Sequence, residues 1–365
     1  MSQIDLTNLS RRSFVGACAT LAAALSLGTA GTAFAAESSK KDASASAKAS
    51  GAADKASSAT AEGDTFPITI KHALGETVIE KKPERVACIG WGNQDAPLAV
   101  GVAPVGFSRA TFGVAEGESM MAWTKEAYEK LGVEPVAFDD TDGTDFEAVN
   151  DVKPDIILCA YSGITQDDYD KLVKIAPTVA YPTVAWSTLW RDQALIEAEA
   201  LGLKPAGEQV VADCEKAIAD ALADHPELQG KTGVFVNITA TDTSSMWVYT
   251  LDDPRAAYLT DLGLAFPPSV DELTKGKGWM VQLSSEVADQ MNDVDILFTY
   301  GDDAFVQQLK DDALLGVIPA VANGAVVALP MDSKLAGATT PTCLSIPATV
   351  ADYVDVIAKA AANVK

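Results

Sequence analysis

Arg85-Val-Ala-Cys-Ile-Gly90 reads as a short, continuously apolar strand ending on glycine, and Trp91-Gly-Asn-Gln-Asp95 follows it as a loop. Residues 96–100 then form a helix-like run closed by Gly101, and residues 102–107 supply the next strand. A strand without polar alternation is buried on both faces. Strands of that kind separated by helices build a parallel sheet covered on both sides. Further on, residues 145–153 suit a short helix, followed by Pro154-Asp155 and a strand over 156–160.

The second half repeats the scheme. Lys231-Thr-Gly233 leads into a strand over 234–238, residues 256–262 form a helix closed by Gly263, and Leu264-Ala-Phe-Pro267 follows. Residues 283–291 read as another short helix and residues 295–300 as another strand. Glu147 precedes the strand-opening Asp155 by eight residues, and Glu286 precedes Asp295 by nine. Two halves on one plan imply a pseudo-symmetric pair of lobes. Between them, residues 192–201 and 206–223 are strongly helical, with Val210, Val211, Cys214, Ala217, Ile218, Ala221 and Leu222 on one face. The expectation is an α/β protein of two lobes with parallel central sheets, joined by one long rigid α-helix.

The chain has 365 residues, 48% of them hydrophobic, enough for two domains of ordinary size. Its formal charge is −24; without residues 1–35, which hold Asp5, Arg11 and Arg12, it becomes −25. So acidic a surface repels phosphate backbones and anionic headgroups, which excludes nucleic acid and lipid surfaces as partners. Two histidines, His72 and His225, cannot build a multi-histidine metal site. No phosphate-cradling glycine loop of either common type is present.

Ser10-Arg-Arg-Ser-Phe-Val-Gly16 places a twin-arginine pair ahead of an apolar stretch over 14–27, and Ala33-Phe-Ala35 suits cleavage after Ala35. Residues 1–35 are therefore expected to be a twin-arginine signal peptide, either cleaved or kept as an anchor. The chain would then work at the outer face of the cytoplasmic membrane, periplasmic or secreted. Val15-Gly-Ala-Cys18 loosely resembles a lipid-attachment motif. Only five residues separate Arg12 from Cys18, however, so the apolar run falls on the wrong side and lipid anchoring at Cys18 is not expected. Residues 36–65, mostly Ala, Ser, Lys, Asp, Glu and Gly, cannot bury a core and read as a disordered tether. The remaining cysteines, Cys88, Cys159, Cys214 and Cys343, are widely and irregularly spaced, and two of them lie in apolar strands. Buried free thiols are expected rather than a disulfide framework.

Phe66-Pro-Ile-Thr-Ile-Lys-His-Ala-Leu-Gly-Glu-Thr-Val-Ile-Glu-Lys-Lys-Pro-Glu-Arg-Val86 resembles the start of the iron-siderophore and cobalamin ABC-transporter solute-binding proteins. So do, in order, Ala99-Val-Gly-Val-Ala-Pro-Val-Gly106, Val152-Lys-Pro-Asp-Ile-Ile-Leu158, Lys174-Ile-Ala-Pro-Thr-Val179 and Leu283-Ser-Ser-Glu286 ahead of Val294-Asp-Ile-Leu297. The resemblance runs from residue 66 to the carboxy terminus. It implies two Rossmann-like ligand-binding lobes (residues 66–203 and 229–365), a linking helix over 204–228 and a ligand cleft between the lobes. It further implies capture of a ferric siderophore, with haem or cobalamin as alternatives, and delivery to an ABC permease dimer with its cytoplasmic ATPase. Glu147 and Glu286 match the family's docking glutamates, one per lobe, which pair with permease arginines. The binding protein itself is expected to be a monomer.

An exported hydrolase is the competing reading. Lys231-Thr-Gly233 copies one β-lactamase element, but the folded part has no Ser-x-x-Lys. Tyr161-Ser-Gly163 lacks the first glycine of a nucleophile elbow. A binder without catalytic residues is favoured.

In open α/β sheets ligands lie beyond the carboxyl ends of the strands. That rule selects Trp91, Asn93, Arg109, Phe112, Tyr161 and Ser162 in the first half. In the second it selects the segment 239–247 with Trp247, then Trp279 and Tyr300, with Met331 and Lys334 behind them. Aromatic walls suit a bulky chelate, and Arg109 is the cation chosen to meet an anionic one. Any one of these aromatics could equally be core packing, and Arg109 a surface charge. No His, Tyr and Asp cluster suits direct iron coordination, so the metal is expected to arrive already chelated, with no cofactor and no metal ligands in the protein.

Overall fold

A computed structural model describes residues 64–365; the expected signal peptide, Cys18 and all but the last two residues of the expected tether lie outside it. The amino-terminal hairpin pairs β1 (Ile68–His72) antiparallel with β2 (Gly75–Ile79). Ile68, Ile70 and His72 face inward while Thr69 and Lys71 face solvent, the period-two pattern of a half-buried strand.

The first lobe is built on β3 (Val86–Cys88), β4 (Gly106–Ser108), β5 (Val136–Phe138), β6 (Ile156–Leu158) and β7 (Thr178–Val179). They form one parallel sheet in the order β5-β4-β3-β6-β7. β3, β4 and β6 are buried throughout, as the unbroken apolar sequence of β3 and β6 requires. The order reverses between β3 and β6, which opens a crevice beyond their carboxyl ends at Trp91 and Tyr161.

The second lobe contains β8 (Gly233–Thr239), β9 (Asp242–Tyr249), β10 (Met280–Ser284), β11 (Ile296–Tyr300) and β12 (Val326–Leu329), in the order β10-β9-β8-β11-β12. β8, β11 and β12 are parallel. β9 returns antiparallel to β8 and pairs antiparallel with β10, so this sheet is mixed at one edge. Two expectations are corrected here. The segment 239–247 is a hairpin strand rather than a strand-end loop, and Leu283 and Ser284 finish β10, leaving only a 3-10 turn, Ser285–Gln290.

The pseudo-symmetry is carried by two aspartates. Asp155, ahead of β6, accepts from the Glu84 and Arg85 amides that lead into β3 (2.9 and 2.8 Å). Asp295, ahead of β11, accepts from the Thr232 amide that leads into β8 (2.9 Å). Between the lobes run helix Trp190–Ala200 and the 19-residue helix Lys204–Leu222. The carboxy-terminal helix Ser345–Ala361 packs beside the latter, and its apolar face joins Cys214 and Ile218 in one core. All four cysteines of the described residues are buried free thiols.

Candidate functional site

The cleft wall of the first lobe is aromatic. Trp91 follows β3 and is tilted onto Phe112, with ring centroids 6.3 Å apart. Phe112 in turn meets the second lobe, packing edge-on against Tyr300 at 5.0 Å. Tyr161 follows β6 and lies edge-on to Trp186 at 5.3 Å. Trp186 has φ +63°, a left-handed backbone that costs a non-glycine residue about 1–3 kcal/mol. The indole lies over Gly163, where a Cβ would stand 2.2 Å from its ring nitrogen. A strained backbone pinned by a tight ring contact holds the half-buried indole in one place.

The second lobe supplies Trp247 and Trp279, both partly buried, and Tyr300, with Tyr249 fully buried behind them. Trp247 and Tyr249 stand two apart on one face of β9, so they project from the sheet rather than beyond its end. Strand-end logic holds for parallel strands. It reached Trp247 only because the hairpin was taken for a loop, and it passed over Tyr249.

The buried cation here is Arg255. Asp253 caps helix Pro254–Asp261 by accepting from the Arg255 amide (2.8 Å), and its two oxygens also take the Arg255 Nη1 at 3.1 and 2.8 Å. The guanidinium lies over the Tyr249 ring, 4.6 Å from its centre. Arg255 Nε donates to the Tyr300 hydroxyl (3.2 Å), and Thr339 Oγ1, 2.9 Å beyond, donates to the Ala336 carbonyl. With Thr339's proton so directed, Tyr300 donates to Thr339, and the chain of bonds has one polarity. Burial pushes the Asp253 carboxyl up, while the Arg255 charge pulls it back; the guanidinium stays protonated.

Several expected site residues have other roles. Asn93 is fully buried and ties two strand ends together. Its Nδ2 donates to the Ile89 and Tyr161 carbonyls (2.8 and 2.9 Å) and its Oδ1 accepts from the Tyr161 amide (2.9 Å). Ser162 is buried and donates to the Cys159 carbonyl. Arg109, which follows β4, is exposed and paired with Asp139 at 3.3 Å. Met331 contributes its carbonyl to the Gly113 amide, and Lys334 pairs with Asp352. The sequence reading passed over Arg255 and Trp186. Arg255 is one of only four arginines beyond residue 35, and Asp253-Pro254 marks a capped helix start just ahead of it.

Glu147 and Glu286 are both exposed, each in the first turn of a short helix: Phe146–Asp151 in one lobe and the 3-10 turn Ser285–Gln290 in the other. Among the described residues no group of three or more His, Cys, Asp or Glu side chains could hold a metal ion.

Residues 86–333 match the periplasmic binding protein family. The chain belongs to that family. A solved relative, PiaA of Streptococcus pneumoniae TIGR4 in complex with ferrichrome, is 46% identical with a TM-score of 0.80, covering 82% of this chain and 100% of that one. The probable siderophore-binding lipoprotein YfiY of Bacillus subtilis (strain 168) is 27% identical over 238 residues, 64% of this chain and 69% of YfiY. The iron(3+)-hydroxamate-binding protein YxeB of the same strain is 26% identical over 221 residues, 60% of this chain and 63% of YxeB.

Proposed function

We propose that the protein captures a ferric siderophore outside the cytoplasmic membrane, specifically an uncharged trihydroxamate chelate, and delivers it to an ABC permease. The charge balance of the cleft carries the choice of chelate. Arg255 is matched by the buried carboxylate of Asp253, and Arg109 by Asp139 at the surface, inside a chain of net charge −24. Nothing in that balance offsets the three negative charges of a ferric tricatecholate, whereas ferric ion with three hydroxamates is neutral. The relatives named for ferrichrome and for hydroxamates support the same class. Iron enters already chelated, with no resident cofactor. The aromatic side chains supply contact area, and Arg255, held by Asp253 and Tyr300, presents a fixed hydrogen-bond donor group toward ligand oxygens. Titrating tryptophan fluorescence with ferrichrome, a ferric tricatecholate, haem and cobalamin tests this. Saturable quenching by the neutral trihydroxamate alone is expected, and tighter binding of the trianion would refute it.

Delivery is assigned to Glu147 and Glu286, exposed at matching places of the two lobes as a two-fold permease dimer requires. Exposed ion pairs are worth about 0–1 kcal/mol each, so they set orientation and encounter more than affinity. Combining Glu147→Ala with Glu286→Ala should abolish cellular uptake while leaving ferrichrome binding intact; normal uptake would end the assignment. Export as a monomer through the twin-arginine route belongs to the same proposal, resting on Arg11 and Arg12.

A further inference from the structure

Two threonines in one short segment each hold a polar group beneath the cleft. The segment 337–344 follows helix Lys334–Gly337 of the second lobe and leads into helix Ser345–Ala361. Thr339 accepts from Tyr300, the residue that receives Arg255 within its own lobe. Thr342 Oγ1 accepts from the Ser345 amide (3.0 Å), so its proton is directed to Asp95 Oδ2, in the first lobe (2.5 Å).

Asp95 is suited to be the fixed end of this contact. It is buried in the first turn of helix Asp95–Ala99, four residues beyond the cleft-wall Trp91. Three further donors converge on it: Trp123 Nε1 (3.0 Å), Thr124 Oγ1 (2.8 Å) and Gln94 Nε2 (3.2 Å). All four partners donate, which suits an acceptor-only carboxylate whose charge no cation balances. Nearby, the two lobes' backbones touch. The Gly113 amide donates to the Met331 carbonyl (3.0 Å), and a Cβ on Gly113 (φ +72°) would stand 2.3 Å from the Gly337 Cα. Side chains at this crossing would hold the lobes apart.

We infer that the strap Thr339-Thr340-Pro341-Thr342 is a latch that sets the spacing of the two cleft walls, with Thr342 and Asp95 as positioning residues that need not touch the ligand. Its cross-lobe bond, Thr342 to Asp95, is short-range and directional, so a small separation of the lobes breaks it. Breaking it frees the Asp95 end of the Trp91 wall from the strap that holds Tyr300, which is what release to a permease requires. The inference goes beyond ligand identity and stands whether or not the chelate is a trihydroxamate.

The test compares the full exported chain with Thr342→Val, which keeps the shape but removes the hydroxyl, and with Thr342→Ser, which restores it. Spin labels at cysteines replacing the exposed Lys130 and Lys275 report the inter-lobe distance without ligand, and ferrichrome release is followed in parallel on unlabelled protein. A narrow distance distribution is expected for wild type and Thr342→Ser. A broader, longer one is expected for Thr342→Val, with release at least tenfold faster and unchanged association. A narrow distribution in Thr342→Val, or equal broadening in Thr342→Ser, overturns the latch. If Thr342→Val does not fold, Thr342→Ala against Thr342→Ser repeats the comparison at the same cross-lobe hydroxyl. Failure of wild type to bind ferrichrome would remove the functional reading alone, since the distance measurement still decides the latch.

Discussion

Replacing Asp253 by Asn should convert the cleft from charge-balanced to cationic. Asn retains an oxygen that can accept from the Arg255 amide, so the cap of helix Pro254–Asp261 survives. What disappears is the countercharge of a guanidinium whose side chain is 8% exposed, facing an aspartate that is 0% exposed. Arginine does not release its proton, so the variant carries an uncompensated buried cation, at a cost of about 3–5 kcal/mol in stability. A thermal melt should show that loss. The gain for an anionic ligand follows from Coulomb's law: at about 8 Å and an effective dielectric constant of roughly 20–80, one ligand charge gains about 0.5–2 kcal/mol. A ferric tricatecholate of charge −3 should therefore bind at least tenfold more tightly to Asp253→Asn than to wild type, relative to neutral ferrichrome. Parallel fluorescence titrations of both chelates at low and moderate salt would measure the ratio. An unchanged ratio in a folded variant would show that Arg255 does not sense ligand charge, and the choice of a neutral chelate would lose its basis.

Burial raises the Asp95 carboxyl to about 6, so only between about pH 4 and 6 does the folded chain hold a proton there that the unfolded chain has released. Its contribution favours folding in acid and is lost as pH rises through about 6, with a slope approaching 1.4 kcal/mol per pH unit between roughly pH 4 and 6. Denaturant unfolding across that range should show Asp95→Asn with a flatter profile than wild type, and parallel profiles would contradict it. Arg109→Ala should change ferrichrome affinity less than about threefold, because an ion pair this exposed contributes about 0–1 kcal/mol; a tenfold loss by titration would place Arg109 in the cleft after all. Trp186→Gly relieves the left-handed backbone while deleting the ring. Melting temperature should hold, and ferrichrome binding should weaken by an order of magnitude or more. Unchanged binding would remove Trp186 from the ligand's wall.

Much of the architecture was legible in the chain. Unbroken apolar runs such as residues 86–90 and 296–298 have no way to face water, so buried parallel strands follow from their composition alone. The repeated Glu147–Asp155 and Glu286–Asp295 spacing revealed the two-lobed plan, because each aspartate serves the backbone entering a neighbouring strand. Trp91, Phe112 and Tyr300 follow from the strand-end rule, and the structure packs their rings in one series. Other properties had no local signal. Whether Arg109 or Arg255 is the buried cation depends on which neighbouring carboxylate is itself buried, and Asp139 is exposed where Asp253 is not. Asn93 sits beside the cleft in sequence but spends its amide on two strand ends 68 residues apart. The hydroxyl of Thr342 meets Asp95 across 247 residues, a contact that exists only once the lobes are packed. Periodicity and composition report burial, which is local; charge pairing and lobe spacing are properties of distant groups brought together, and only the tertiary structure decided them.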